Sequence, residues 1–444
     1  MEKLTISLIT VFALCTAVPA MAQDSHYWTN QYGTESWLLG GAVVGSTTDL
    51  ASTYYNPASL AFYPDTSAIQ TAVSLNWSRT AIEAKDLDFQ LVSGSSAPLP
   101  TLVSLNLPLK FLGSRALQLS FLKRTDVKMN LSGISYTAAG ADTGYVVTGL
   151  IDRELVDSWF GLTWSKAFGK EHAIGITAYI SAVSSSYQSV LATGVVTKDS
   201  KASSSLSDYQ AFDNIRFLAK AGYYYDSRPV SFGVSITTPS IKLLNTFGET
   251  RTSQTSVVND SVVSLYGDRQ SGLTAKYRTP FSVAAGATWY SKQTTVYITV
   301  EWFDGLDPYA PLQPEPFTGT IPASIIIYGN TVKRYGIANV GMGIRQRVSE
   351  KTSLYFSLLR DGSSLKPSDN AADAIVNYDL YHATVGWQFT IINTVVTAGA
   401  IVGGGYVDNA PPSEFGQYVG LTNGVNVSRY FIRIGAIIGI VARL

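Results

Sequence analysis

Gly40-Gly41-Ala42-Val43-Val44-Gly45-Ser46-Thr47-Thr48-Asp49-Leu50-Ala51-Ser52-Thr53-Tyr54-Tyr55-Asn56-Pro57-Ala58-Ser59-Leu60-Ala61-Phe62 is the stretch around which the chain is organised. Its glycines permit close backbone packing, and Asp49 to Ser52 can form one short helical turn. Asn56-Pro57 initiates a turn, because proline fixes its own φ and pushes the preceding residue towards extended geometry. The stretch is too irregular for a sheet strand and too apolar for a solvated loop. Irregular backbone of this kind keeps its amides satisfied when it is packed inside other protein. The surrounding chain is therefore expected to form a wall.

Working outward, period-two alternation takes over. Ile69, Thr71, Val73, Leu75 and Trp77 share one face, and Gln70, Ser74 and Asn76 the other. Leu117, Leu119 and Phe121 oppose Gln118 and Ser120; Val296, Ile298, Val300 and Trp302 oppose Thr295, Tyr297, Thr299 and Glu301; Val340, Met342 and Ile344 oppose Asn339, Gly341, Gly343 and Arg345. Such alternation predicts strands with one oily and one wet side. Strands are predicted near 69–79, 99–109, 114–123, 157–167, 173–188, 211–225, 229–240, 276–290, 293–303, 335–347, 351–360, 378–390, 393–405 and 427–444. Long joins (80–98, 124–156, 189–210, 241–275, 304–334, 361–377 and 406–426) alternate with short ones. Long loops at one end, tight turns at the other and an even strand count are the layout of a membrane-spanning antiparallel β-barrel. The closing strand, Tyr430 to Leu444, keeps an unbroken apolar face opposite Arg433, Gly435, Gly439 and Arg443, and ends on leucine rather than an aromatic residue. The competing arrangement is a secreted soluble β protein whose oily faces turn inward. Against it, there is no fixed-period repeat for a propeller and no linker between sandwich-sized halves.

Composition points the same way. Charged residues make up 14% of the 444, with 32 basic and 32 acidic side chains, against about 25% charged in typical soluble domains. Aromatics reach 12%, including 26 Tyr and 8 Trp, which suits a lipid-facing surface with aromatic girdles. Balanced charge without a basic cluster excludes a nucleic-acid partner. Residues 1–22 read as a signal peptide: Leu4 to Val18 is apolar and Ala20-Met21-Ala22 is a small-x-small cleavage pattern. The one cysteine, Cys15, falls inside it, so the exported chain is expected to use no disulfides.

Gly41-Ala42, Asp49-Leu50-Ala51 and Tyr55-Asn56-Pro57-Ala58-Ser59-Leu60-Ala61 resemble the N-terminal hatch of FadL-type outer-membrane transporters. The resemblance implies a hatch over 23–68 plugging a barrel of about fourteen strands over 69–444, in the bacterial outer membrane and in contact with its lipid. It implies passive uptake of hydrophobic small molecules, long-chain fatty acids first, with Asn56, Pro57 and Ala58 as the gate. The alternative is a non-transporting barrel that acts as a scaffold or partner of an outer-membrane secretion complex. A general porin is a third reading.

Little in the chain points to catalysis. His26, His172 and His382 lack metal-ligand spacing, and neither a nucleophile elbow nor a phosphate loop occurs, so no enzyme, metal or cofactor is expected. Strand parity turns His382, Arg216, Lys220, Glu301, Arg345 and Arg433 inward. His382 is expected to be a hydrogen-bonding wall residue. The charged five, the ligand-binding candidates, have two readings: one or two of the bases hold a ligand carboxylate, or the bases pair with Glu301 and with hatch polar groups to hold the plug. The apolar joins at 302–317 and 325–328 are either a landing surface for a greasy substrate or loops that fold back to seal the mouth. Lys198 to Asp208 reads as a solvated loop.

Overall fold

A computed structural model describes residues 25–64, 67–84, 89–107, 116–138, 143–244, 247–329, 331–366, 376–410 and 427–443. Fourteen strands close into an antiparallel barrel. They are β1 (Ala68–Ala84), β2 (Phe89–Leu107), β3 (Ala116–Ala138), β4 (Gly144–Phe168), β5 (His172–Val196), β6 (Lys201–Ser227), β7 (Val230–Thr237), β8 (Ser282–Tyr290), β9 (Thr294–Phe303), β10 (Ile337–Arg347), β11 (Thr352–Asp361), β12 (Leu380–Ile391), β13 (Thr394–Ala410) and β14 (Val427–Arg443). Each pairs with its neighbour in this series, and β14 closes on β1 from Ala68↔Arg443 to Ala84↔Val427.

The alternation that makes these segments strands also sets their facing. On β1, Ile69, Val73, Leu75 and Trp77 are exposed while Gln70 and Ser74 are buried. On β9, Ile298, Val300 and Trp302 are exposed opposite buried Tyr297, Thr299 and Glu301; on β14, Ile432, Ile434, Ile438 and Ile440 are exposed opposite buried Arg433. The oily faces look outward around the ring, the reverse of the soluble arrangement.

The strands expected from alternation match the fourteen observed one for one, but several lengths differ. β3 to β6 run 23, 25, 25 and 27 residues, so most of the supposed loops 124–156 and 189–210 are strand. Lys198–Asp208 is a corner, closed by Thr197 N–H donating to Ser200 O at 2.7 Å, followed by β6 from Lys201. The extensions of β3 and β4 bury Met129, Leu131, Ile151 and Leu155 on their inner face while charged and polar residues interrupt the alternation, and the start of β6 is largely polar on both faces. Within 241–275, a hairpin of Phe247–Val258 and Ser261–Thr274 pairs with the upper half of β6, from Ala202↔Val258 to Phe212↔Gly248. One side of the barrel thus rises well above the other. One ladder is interrupted: among the described residues, β2 and β3 pair over 103–107 and 117–121, then only at Val92↔Ser132. β3 also shifts register between Lys123 and Thr125.

Residues 25–64 are coil with three short turns, α1 (Glu35–Leu38), α2 (Ser52–Tyr55) and a 3-10 turn over Pro57–Phe62. The turn expected at Asp49–Ser52 lies three residues later. Trp37, Leu38, Leu39, Val44 and Tyr54 pack into one core with Leu102, Trp159, Leu218, Tyr297, Tyr355, Ile401 and Ile437 from strands all around the ring. The segment 1–22, Leu444 and residues 411–426 lie outside the described residues.

Candidate functional site

The seat of the N-terminal segment is built first by Asn56. Its backbone is extended (φ −152°, ψ 99°), as the following proline requires. Its Oδ1 accepts from Ala58 N at 3.1 Å and caps the 3-10 turn, while Nδ2 donates to Val44 O at 2.9 Å and to Tyr223 O of β6 at 3.0 Å. The wall here has no side chains to spare: a Cβ on Gly175 would lie 2.5 Å from Pro57 O, and one on Gly286 would lie 2.6 Å from Gly45 N. Asp49 is the other fixed point. Its Oδ2 accepts from Thr34 N (2.7 Å), Thr34 Oγ1 (3.1 Å), Ser36 N (3.2 Å) and Gln70 Nε2 of β1 (3.2 Å). Its Oδ1 accepts from Ser36 Oγ (2.7 Å) and Ala51 N (3.0 Å). The sequence places Asp49 in the hatch-like motif but assigns it no bonding role. A lone carboxylate in an apolar run was the available signal, because burying one demands donors.

All five charges expected to face inward do so, and four have fixed partners. Glu301 accepts from Trp28 Nε1 and from Ser282 Oγ, both at 2.7 Å. Arg345 reaches Glu35 Oε1 of α1 at 3.1 Å. Arg433 donates to Thr29 O and, through Nε and Nη2, to Asn76 Oδ1 at 3.1 and 2.8 Å. Arg216, wholly buried, bonds Asp157 Oδ2 (3.1 Å), Ser181 Oγ (2.8 Å) and Ser240 Oγ (2.6 Å). Lys220 differs. No carboxylate among the described residues reaches ion-pair distance of its ammonium, which sits 4.7 Å from the centre of the Tyr54 ring. Arg124 of β3 joins it, 5.9 Å from Tyr54 and 6.0 Å from Trp159. Sequence reading missed Arg124 because alternation weakens at the β3 bulge, although its parity matches Gln118 and Ser120.

These groups line a cavity of about 40 Å³ bounded by Tyr27 and Tyr54 of the segment and by Arg124, Trp159, Lys220 and Phe303 of the wall. Its carboxylates, Asp157 and Glu301, already accept hydrogen bonds from Arg216 and Ser181, and from Trp28 and Ser282. Two cations over aromatic faces are left to set its electrostatics. A second cavity, about 190 Å³, lies beside the β2–β3 interruption and is lined by Thr29, Asn76, Ser78, Ser95, Met129 and Arg433. His26 borders both cavities, held by Ser25 Oγ and Tyr378 O, each at 2.9 Å.

His382 points inward as expected, yet among the described residues its ring nitrogens have no hydrogen-bond partner and it packs on Gly403. It is a packing residue rather than the hydrogen-bonding one expected. No cluster of three potential metal ligands occurs among the described residues. The 302–328 loop is divided between buried and exposed apolar residues. Leu312 folds back onto Phe212 and Met129, whereas Ile325 and Ile327 stand about three-quarters exposed, at 74% and 75%.

No protein-family model and no curated protein sequence matches the chain. Solved structures do match its fold. A Pseudomonas aeruginosa FadL homologue is 11% identical, covering 94% of this chain and 99% of its own, with a TM-score of 0.60. The Pseudomonas putida toluene transporter TodX is 12% identical over 94% and 99%, with a TM-score of 0.62. The Ralstonia pickettii toluene transporter TbuX is 13% identical over 94% and 99%, with a TM-score of 0.56. The chain therefore has the fold of FadL-type hydrophobic-compound channels.

Proposed function

We propose that the protein is a bacterial outer-membrane channel for passive uptake of hydrophobic small molecules, with residues 1–22 as signal peptide, 23–68 as plug and 69–444 as the spanning barrel. The observation that carries the reading is the pair of cations, Lys220 and Arg124, over the plug residue Tyr54 in an aromatic cavity. Bases without carboxylate partners beside apolar walls favour an amphipathic ligand whose carboxylate supplies the missing charge. Long-chain fatty acids are the first such class. The outward apolar band supports the membrane setting, and exposed Ile325 and Ile327 supply a landing surface at the long-loop end. Asn56, Pro57 and Ala58 gate the path by holding the plug. When the plug shifts, the ligand passes His26 into the second cavity and leaves beside the β2–β3 interruption.

The test is uptake of radiolabelled oleate and radiolabelled toluene by cells producing the full chain, together with mass spectrometry of molecules extracted from the purified protein. Uptake above a vector control, with an amphipathic anion retained, is expected. Uptake equal to the control for both compounds would overturn the reading.

A further inference from the structure

We infer that a cluster on the outside of the barrel, at the tight-turn end of β4 to β6, binds the phosphate of an anionic glycerophospholipid. Lys166, Lys170 and His172 supply the donors, over a surface made by Phe168, Tyr223 and Tyr225. The inference rests on the membrane setting of the barrel and not on which compound the channel carries. The cluster follows from strand parity. Gly169–Glu171 joins β4 to β5, and Gly169 takes the left-handed φ of 68° that closes the turn. Register then places Phe168 beside His172 and His172 beside Tyr225, with Lys166, Ile174 and Tyr223 forming the next outward row. Phe168, Ile174 and Tyr223 are exposed, as lipid-facing side chains are elsewhere on the ring.

The His172 ring is fixed with one nitrogen turned away from its neighbours. It stacks on Tyr225, with centroids 4.8 Å apart and planes 29° apart, and its Nδ1 is hydrogen-bonded to the Tyr223 hydroxyl at 2.7 Å. With that hydroxyl donating, the ring proton sits on Nε2, a donor for an anionic oxygen. The Lys166 ammonium lies 5.6 Å from the centre of the Phe168 ring, and Lys170 tips the turn. Neither lysine forms an ion pair among the described residues. The acidic groups of these turns are Glu171 and Asp226, and Asp226 already accepts from Arg228 Nε at 3.0 Å.

The height of the cluster on the barrel says what meets it. Phe168, Tyr223, Phe232 and Trp289 are exposed side by side, with Tyr225 paired to Phe232 and Val230 to Trp289. An aromatic girdle of this kind marks the level where hydrocarbon gives way to headgroups. Lys170, Arg228, Lys292 and Lys351 continue that level from one tight turn to the next, against Glu171, Asp226 and Glu350. Neighbouring turns are tied by main-chain bonds, as from Tyr290 N to Pro229 O at 2.8 Å and from Arg347 N to Gln293 O at 2.7 Å. The rim is therefore a fixed, mainly basic ring continuous with the outward apolar band. A phosphate carried by the leaflet itself complements it, because basic groups at a membrane surface attract anionic headgroups.

The test uses His172 as its own reporter, since it is exposed while His26 and His382 are each only 3% exposed. Its carbethoxylation by diethyl pyrocarbonate is read by peptide mapping in the full chain held in lipid nanodiscs. Discs of dioleoylphosphatidylcholine are compared with discs holding increasing fractions of dioleoylphosphatidylglycerol. Slower modification as phosphatidylglycerol rises is the expected result. The fraction giving half-protection should rise about fivefold for each of Lys166→Gln and Lys170→Gln. An anionic surface also draws protons and slows the reaction, but it does so equally in the variants. No protection, or the same protection in the double lysine variant as in the unsubstituted chain, would overturn the site. Inorganic phosphate or glycerol 3-phosphate added to phosphatidylcholine discs should protect nothing; protection equal to that of the lipid would make the ligand a soluble phosphate and overturn the lipid assignment. Failure of the chain to enter nanodiscs would overturn the membrane reading as well, whereas an unprotected His172 in well-formed discs removes the site alone.

Discussion

Glu301, Arg345 and Arg433 face the interior of the same wall as Lys220 and Arg124, but the two groups are held differently. The first three each reach a named atom of the N-terminal segment: Trp28 Nε1, Glu35 Oε1 and Thr29 O. Their charge is absorbed in fixing that segment. Among the described residues, Lys220 and Arg124 reach the faces of Tyr54 and Trp159, which steady a cation without neutralising it. A buried charge lacking an opposite partner is costly. The difference teaches that inward polarity here falls into two groups, one that seats the segment and one that the proposed function assigns to an anionic ligand.

Removing the seat should have the largest effect. Asp49→Ala leaves Thr34 N, Ser36 N and Ala51 N without their acceptor, at about 1–3 kcal/mol for each buried donor. The segment should come away from the wall, giving sustained ion conductance in planar bilayers where the unsubstituted protein is closed. Arg345→Ala strands Glu35 on α1 and should cost roughly 2 kcal/mol, the scale of a charged hydrogen bond, seen as intermittent openings. If Arg345→Ala conducts no more than Lys220→Met, the division into two groups of charges is wrong.

Lys220→Met sharpens the other half. The thioether chain retains the stem's packing and removes a cation with no carboxylate partner among the described residues, so stability should hold or rise. Oleate binding by the purified protein should weaken about tenfold, the equivalent of ~1.4 kcal/mol, with toluene uptake unchanged. An equal loss for both compounds would mean that the lysine shapes the cavity instead of meeting a carboxylate.

The barrel was legible because it writes itself twice, in the two-residue period and in the spacing of joins. Where one face is oily, as from Ile69 to Trp77 or Ile432 to Ile440, both facing and strand position could be read directly. Where both faces are polar, as from Lys201 to Gln210, the strand persists through main-chain bonds that side-chain chemistry does not advertise. The inward charges followed from parity alone. Their partners did not, since Trp28 and Glu301 lie 273 residues apart and pair only once the barrel closes around the segment. Arg124 was lost at a bulge, where parity slips by one.

Pro57→Gly is the finest probe of the seat, because it deletes no polar contact. Asn56 keeps its bonds to Val44 O and Tyr223 O, and Ala58 N keeps its cap. What changes is the freedom of the chain before it docks. Glycine in place of proline at the first position of the 3-10 turn widens the undocked ensemble and should cost about 0.4–1 kcal/mol. The ring also fills the space beside Gly222, so a little packing is lost with it. The expected record is brief, rare openings on a closed baseline, fewer than those of Arg345→Ala and with oleate binding intact. Openings as long as those of Asp49→Ala would mean that the proline ring itself, rather than the hydrogen bonds of Asp49 and Asn56, holds the segment in place.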